Sequence, residues 1–186
     1  MFDIRNPDSR EALLDSLCSQ QEEIADFADG FELEEFFVDQ GEYWSPAGHL
    51  RHLNKSVRMV ARGFEQTKLA LLPLGRSKSG SRSFREVVEI YQQALAEGAT
   101  AGKFGPSSKV PELTAEEWRA QIMDHWSDSG HRLRQAIRRW SEKELDRYRL
   151  LHPLIGKLTL REMAFFTLYH NARHARRIAE RSGRAG

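Results

Sequence analysis

Four histidines form the group of residues best suited to metal chemistry in this chain of 186 residues. His170 and His174 are four residues apart in a segment whose apolar residues recur with a helical period, so both imidazoles lie on one helix face. Two imidazoles placed in this way can bind a divalent metal when a third ligand comes from elsewhere. His49 and His52, on an earlier predicted helix, are the candidates for that ligand. Three histidines suit zinc, nickel or iron.

The two candidates on the earlier helix differ in their position on a helical wheel. His49 lies nearer the apolar stripe of the helix, whereas His52 lies further round toward the polar side. Periodicity alone therefore favours His49. The His-x-x-x-His pair is weak evidence by itself, because half-buried structural histidines show the same spacing. The glutamate of the zincin motif is absent, since Asn171 follows the first histidine of the pair.

The other three histidines and the arginines near the end of the chain are interpreted without a catalytic role. His125 flanks the apolar stripe of its helix and is interpreted as a packed histidine, whereas His131 lies opposite its stripe and is interpreted as solvated. His152 precedes Pro153 and is expected to support its loop. Six arginines and two glutamates follow from residue 159 to the end of the chain, and this excess of arginine is interpreted as a solvated helix face.

Capping patterns locate the helices that must position these side chains. A Ser or Thr followed three residues later by Glu predicts a helix start, and the chain has such pairs, or close equivalents, at Ser83 and Glu86, Thr114 and Glu117, Thr159 and Glu162, Asp8 and Glu11. Ser45 before Pro46 predicts another start. Five helices follow, which we place after Asp8 to Gly30, from Pro46 through Leu72, from Phe84 to Gly98, after Thr114 to Trp140, and from Thr159 to about Arg181.

The predicted fold is all-α. No alternating pattern of useful length predicts strands. Four long amphipathic helices and one short additional helix can bury their apolar stripes together as an antiparallel four-helix bundle with one long crossover. We expect a single domain over residues 1–186, and a homodimer formed through the apolar face of the short helix.

Composition limits the classes of partner. The 28 Lys and Arg residues and 27 Asp and Glu residues give a formal charge of +1, which provides no electrostatic footprint for nucleic acid. The single cysteine excludes an intrachain disulfide and suits a reducing compartment. The chain shows no signal-like core and no apolar run that could cross a bilayer. We therefore expect a cytoplasmic protein with no membrane partner.

Three segments in this order resemble the DinB/YfiT-like superfamily: residues 44–53, which read WSPAGHLRHL; residues 152–162, which read HPLIGKLTLRE; and residues 169–174, which read YHNARH. Proteins of that superfamily are four-helix bundles with up-down-down-up topology and a metal site of three histidines. The resemblance implies that His52, His170 and His174 are the metal ligands, and His49 remains the alternative to His52 as the ligand from the earlier helix. This choice of His52 differs from that of the helical wheel, which favours His49. The resemblance is preferred, because a ligand can project from the flank of a helix into a groove.

The resemblance also implies a class of activity. Enzymes of the superfamily include thiol transferases that use bacillithiol or mycothiol, a maleylpyruvate isomerase and hydrolase-like members. We therefore expect a divalent-metal-dependent enzyme that acts on a small molecule through an activated thiol or water, with a low-molecular-weight thiol as one substrate. The alternative is a non-catalytic, stress-linked dimer that binds metal or ligand. Glu42, Asp124 and Glu162 are acids of suitable type, but none is assigned as a general base.

Overall fold

The computed structural model describes residues 2, 6–39, 41, 43–100, 102, 105–106 and 111–184. Most of this part is α-helical, which confirms the predicted predominance of helices. The regular elements of the described part are α1 (Arg10–Asp29), α2 (Leu33–Phe37), α3 (Pro46–Phe64), α4 (Phe84–Ala96), α5 (Ala115–Arg138), α6 (Glu142–Leu145), β1 (Arg149–His152), β2 (Gly156–Thr159) and α7 (Leu160–Arg181), with a 3-10 turn at Leu72–Leu74.

The capping patterns predicted most of the long helix starts correctly. At Ser83, Thr114 and Thr159 the hydroxyl accepts the backbone N–H of the glutamate three residues on, and that glutamate accepts the N–H of the cap residue. Ser45 caps α3, and Pro46 is the first helical residue. Helix α1 begins one residue later than expected, because Ser9 caps it. These starts depend on contacts within one turn, so the local sequence determines them.

Helix α3 is shorter than predicted. It ends at Phe64, so the prediction of one helix through Leu72 is wrong. The chain turns after Glu65, and the Thr67 hydroxyl accepts the N–H of Ala70. Leu69 is 75% exposed. Leu72 is also exposed, whereas Leu71 is 3% exposed and joins the core from the turn. The apolar residues that extended the helical pattern are therefore divided between surface and core and do not continue one helix face.

The expectation that no strands form is also wrong. Strands β1 and β2 form an antiparallel hairpin in which Arg149 pairs with Thr159 and His152 pairs with Gly156. Each strand has only four residues, which is too short for an alternating pattern to be recognised. The short helices α2 and α6 were not predicted either, because they span about one turn each. The hairpin leads directly into the capping residue of α7.

Helix α7 lies at the centre of the packing. Helices α1 and α3 each pack against both α5 and α7, and α4 packs against α7. One hydrophobic cluster contains side chains from all seven helices and both strands of the described part. Sixteen of the 22 residues of α7 are buried, so a polar side chain on this helix is surrounded by protein. None of the described helices is long and apolar enough to span a membrane.

Candidate metal centre

Three histidines from two helices meet in the interior. His52 projects from α3, and His170 and His174 project from α7; their exposed fractions are 4%, 5% and 5%. One ring nitrogen of each lies within 4.8 Å of those of the other two. The Nε2 atoms of His52 and His170 are 3.1 Å apart. The structure therefore brings together the three residues that the resemblance implied.

The separation of the imidazoles is suitable for a shared cation. Nitrogens that bind one zinc ion at about 2.0–2.1 Å lie roughly 3.0–3.4 Å apart, depending on the coordination angle. The 3.1 Å between His52 and His170 falls within this range. The Nδ1 atom of His170 is buried and has no hydrogen-bond partner in the described part of the chain, so the contact of its Nε2 atom with His52 is the one hydrogen bond that this ring makes there. The donor set fits a divalent metal.

The protonation state of the α7 pair also fits a metal site. Burial lowers the pKa of His170 well below its usual range, and the neighbouring His52 lowers it further. Burial likewise lowers the pKa of His174, with His170 as the next cause. Both rings are therefore neutral near pH 7, and the neutral imidazole is the form that binds metal.

His49 lies beside the cluster, although it is not one of the three residues whose nitrogens converge. Its Nδ1 atom is 2.8 Å from Nδ1 of His174, so one of the two rings donates a hydrogen bond to the other. Burial, followed by the charge of His52, lowers the pKa of His49 to about 4. Trp44 covers this end of the cluster, with its ring stacked on that of His174 at 6.2 Å. His49 is thus placed to orient a ligand of the site.

The helical wheel was wrong about His52. Both histidines of α3 are buried, because this helix packs against α5 on one side and α7 on the other. Its buried arc is therefore wider than its apolar stripe, and it includes polar side chains that meet the polar face of α7. His49 and His52, three residues apart, share that arc.

The other histidines are placed as follows. His152 supports its loop as predicted, because its Nδ1 atom accepts the N–H groups of Leu154 and Ile155 at 3.2 and 3.3 Å. Burial lowers its pKa to about 4, and its ring lies 4.2 Å from that of Phe166. His125 is exposed, so its interpretation as a packed residue is wrong, whereas His131 is exposed as predicted.

A cavity of about 770 Å³ opens onto the histidines. The three imidazoles, His49 and Trp44 form part of its wall, and Tyr91 and His152 lie close to His170 within the same wall. Apolar side chains from α3, α4 and the hairpin complete much of the remainder: Met59, Val60, Leu95, Leu150, Leu151, Leu154. A small molecule can therefore reach the cluster from a pocket that is partly apolar.

Two arginines in this wall were missed by the sequence analysis. Arg173 and Arg177 line the cavity, and Arg173 is half-buried. They were interpreted as part of a solvated face, and Arg177 is exposed as that interpretation predicts, but both stand one helical turn apart beside the histidine pair. Their spacing of four residues, offset by three from His170 and His174, is the pattern that would have indicated a shared face.

None of the three acids considered as a base is assigned that role. Glu162 is bound by Arg82 and by the N–H of Thr159, so it acts at the start of α7. Asp124 is exposed on α5 and does not line the cavity. Glu42 lies outside the described residues.

Comparison with known proteins gives one finding. The family model of the DinB superfamily matches residues 5–178, a range that includes both helices of the histidine cluster. Neither the curated proteins nor the solved structures gave a match.

Proposed function

The chain belongs to the DinB superfamily, and on this premise we propose that it is a divalent-metal-dependent enzyme in which His52, His170 and His174 bind the cation. The observation that supports this proposal is the convergence of three buried imidazoles from α3 and α7 within 4.8 Å. Three protein ligands beside a cavity leave a coordination position for water or substrate, which is typical of catalytic sites and not of closed structural ones. Three imidazoles suit zinc, nickel or iron.

The proposed reaction is thiol transfer or hydrolysis on a small electrophilic molecule. A divalent cation at this site would supply Lewis acidity, which favours deprotonation of a bound thiol or water near neutral pH. The chain provides neutral imidazoles, a tryptophan that shields the ligands, and a partly apolar pocket that can hold a low-molecular-weight thiol. His49 orients His174 through the contact between their Nδ1 atoms.

The fold and assembly belong to the same proposal. Helices α1, α3, α5 and α7 pack in pairs around one core, and we assign them to an antiparallel four-helix bundle with up-down-down-up topology and α4 as the additional helix. We further propose one domain over residues 1–186, a cytoplasmic location and a homodimer. Light scattering on the purified protein tests the dimer, because a monomeric mass at all concentrations would contradict it.

Metal analysis tests the site directly. The protein is purified without a histidine tag, and its metal content is measured for the wild type, His52→Ala and His174→Ala. We expect about one metal ion per chain in the wild type and loss of that metal in both variants, because each variant leaves only two ligands. His131→Ala, which changes an exposed histidine on α5, is the matched control. Metal retained in both site variants would contradict the proposal.

Activity is tested on the metal-loaded protein. Low-molecular-weight thiols are supplied with electrophiles, and esters and amides are supplied with water alone. We expect turnover that disappears after chelation and returns when metal is restored. Stoichiometric metal without turnover on either class would favour the alternative function, a non-catalytic bundle that binds metal or ligand.

A further inference from the structure

Three arginines line the cavity, Arg173, Arg177 and Arg181, and none of them pairs with a carboxylate of the described residues. Arg173 and Arg177 make no ion pair and no hydrogen bond with any of the described residues. Glu180 also lines the cavity but is exposed and pairs with neither of them. The nearest imidazoles do not provide negative charge, because a histidine side chain is either neutral or cationic. This wall of the cavity is therefore positively charged.

Two other arginines near the ends of α7 are paired with carboxylates, and a third contacts an aromatic ring. Arg161, near its start, pairs with Glu142 and Asp146. Arg184, just beyond its end, pairs with Glu35. Arg181 lies over the ring of Tyr43 at 3.7 Å. Arg173 and Arg177 differ from these three arginines in having neither an ion pair nor a hydrogen bond nor an aromatic ring contact within the described part of the chain.

The position of Arg173 makes a missing negative charge costly, whereas Arg177 is exposed and adds its charge from the rim of the cavity. Arg173 is half-buried, and burial followed by the charge of Arg177 lowers its pKa. Both charges also disfavour protonation of His49. A desolvated cation is stabilised when an anion pairs with it, and a guanidinium group matches carboxylate and phosphate oxygens in geometry. An anionic ligand would supply the charge that the wall lacks.

We infer that the cavity binds a small molecule with a carboxylate or phosphate group, which pairs with Arg173 and Arg177 while the rest of the molecule extends toward His52, His170 and His174. Arg173 and Arg177 each lie three residues beyond one histidine of the pair, which is about 4.5 Å along the axis at 1.5 Å per residue, so the anionic group stands only a few bonds from the atom at the histidines. The inference rests on the proposed function for one point, which is that the end of the molecule near the histidines is the reacting thiol or electrophile. It specifies the class of substrate that the site takes.

Calorimetric titration of the metal-loaded protein tests the inference with three thiols of similar size. The probes are 3-mercaptopropionate, 2-mercaptoethylphosphonate and the neutral 3-mercaptopropionamide. We expect at least one of the two anions to bind about tenfold or more tightly than the amide, because a hydrogen-bonded charge pair contributes about that factor. The tighter of the two anions identifies carboxylate or phosphate as the preferred group.

Variants assign the preference to the two arginines. Arg173→Gln and Arg177→Gln should each weaken binding of the anion about tenfold and leave binding of the amide unchanged. Arg138→Gln, at the exposed end of α5 and outside the cavity wall, is the matched control and should keep the preference. Equal binding of anions and amide, or a preference that survives both site variants, would overturn the inference.

Failure of the proposed function would be seen separately. If the wild type holds no metal, the proposed function fails, and the same anions and amide are then titrated into the metal-free protein. A preference for anions that is lost in Arg173→Gln would still support the inference, whereas its absence would overturn it. Circular dichroism of each variant confirms that the comparison is made on folded protein.

Discussion

Acid should destabilise the metal-free protein through His152, the buried imidazole at the end of β1. Burial lowers its pKa to about 4 from an ordinary value of 6.5, so the unfolded chain binds a proton at pH values where the folded chain does not. The stability associated with the neutral ring begins to fall below about pH 6.5, and the loss is complete below about pH 4.

The size of the effect follows from the two pKa values. Each pKa unit corresponds to about 1.4 kcal/mol. Between about pH 8 and pH 5 the unfolded ring becomes almost fully protonated while the folded ring stays mostly neutral, which lowers the free energy of unfolding by about 2 kcal/mol. The measurement is made with chelator present, so the other buried histidines also lose stability in acid. That loss occurs in both the wild type and a variant of residue 152, and it therefore cancels when the two are compared.

Urea unfolding at about pH 8 and pH 5 measures this loss in the wild type and in His152→Gln. Comparison of the two pH values within each protein cancels any cost of the substitution that does not depend on pH. We expect His152→Gln to lose about 2 kcal/mol less than the wild type. His131→Gln, an exposed histidine on α5, should behave as the wild type does. An equal loss in the His152 variant would refute the argument that the folded ring stays neutral.

Three further changes test other parts of the structure. His49→Ala should weaken metal binding about 10- to 100-fold without abolishing it, because it removes a partner of a ligand and not a ligand; competition with a chromophoric chelator measures this, and unchanged affinity would count against it. Gly130→Ala should lower the free energy of unfolding by about 1–3 kcal/mol, because a Cβ atom there would collide with the Gln21 side chain between α1 and α5; full stability in urea would show that the interface can adjust. Arg82→Gln should cost about 2 kcal/mol, since the buried carboxylate of Glu162 loses its cation; a thermal melt identical to that of the wild type would contradict this.

The extent to which the sequence predicts the fold depends on how local each structural cause is. The starts at Ser83, Thr114 and Thr159 were predicted because a cap and its glutamate are three residues apart. The end of α3 was not, because Leu69 and Leu72 continue a helical pattern that only their exposure in the folded chain contradicts. The hairpin was missed because its register depends on pairing across a turn.

The candidate site was predicted in part for the same reason. The pair on α7 is visible in the sequence as a spacing of four residues. The choice of His52 came from the resemblance, whereas periodicity favoured His49, since the buried arc of α3 depends on two neighbouring helices that a wheel does not include. Arg177 is exposed as predicted, but the sequence does not show that Arg173 and Arg177 line a cavity, because distant segments of the chain form the rest of its wall.

The contact between Gly63 and Leu150 determines how wide the pocket can be. A Cβ atom at residue 63 would lie 2.8 Å from a methyl group of Leu150, so the hairpin rests directly on the backbone of α3. A larger residue at position 63 would displace the Leu150 side chain or the hairpin that carries it, and either shift would alter the cavity wall. One position outside the three-histidine cluster thus influences the shape of the cavity.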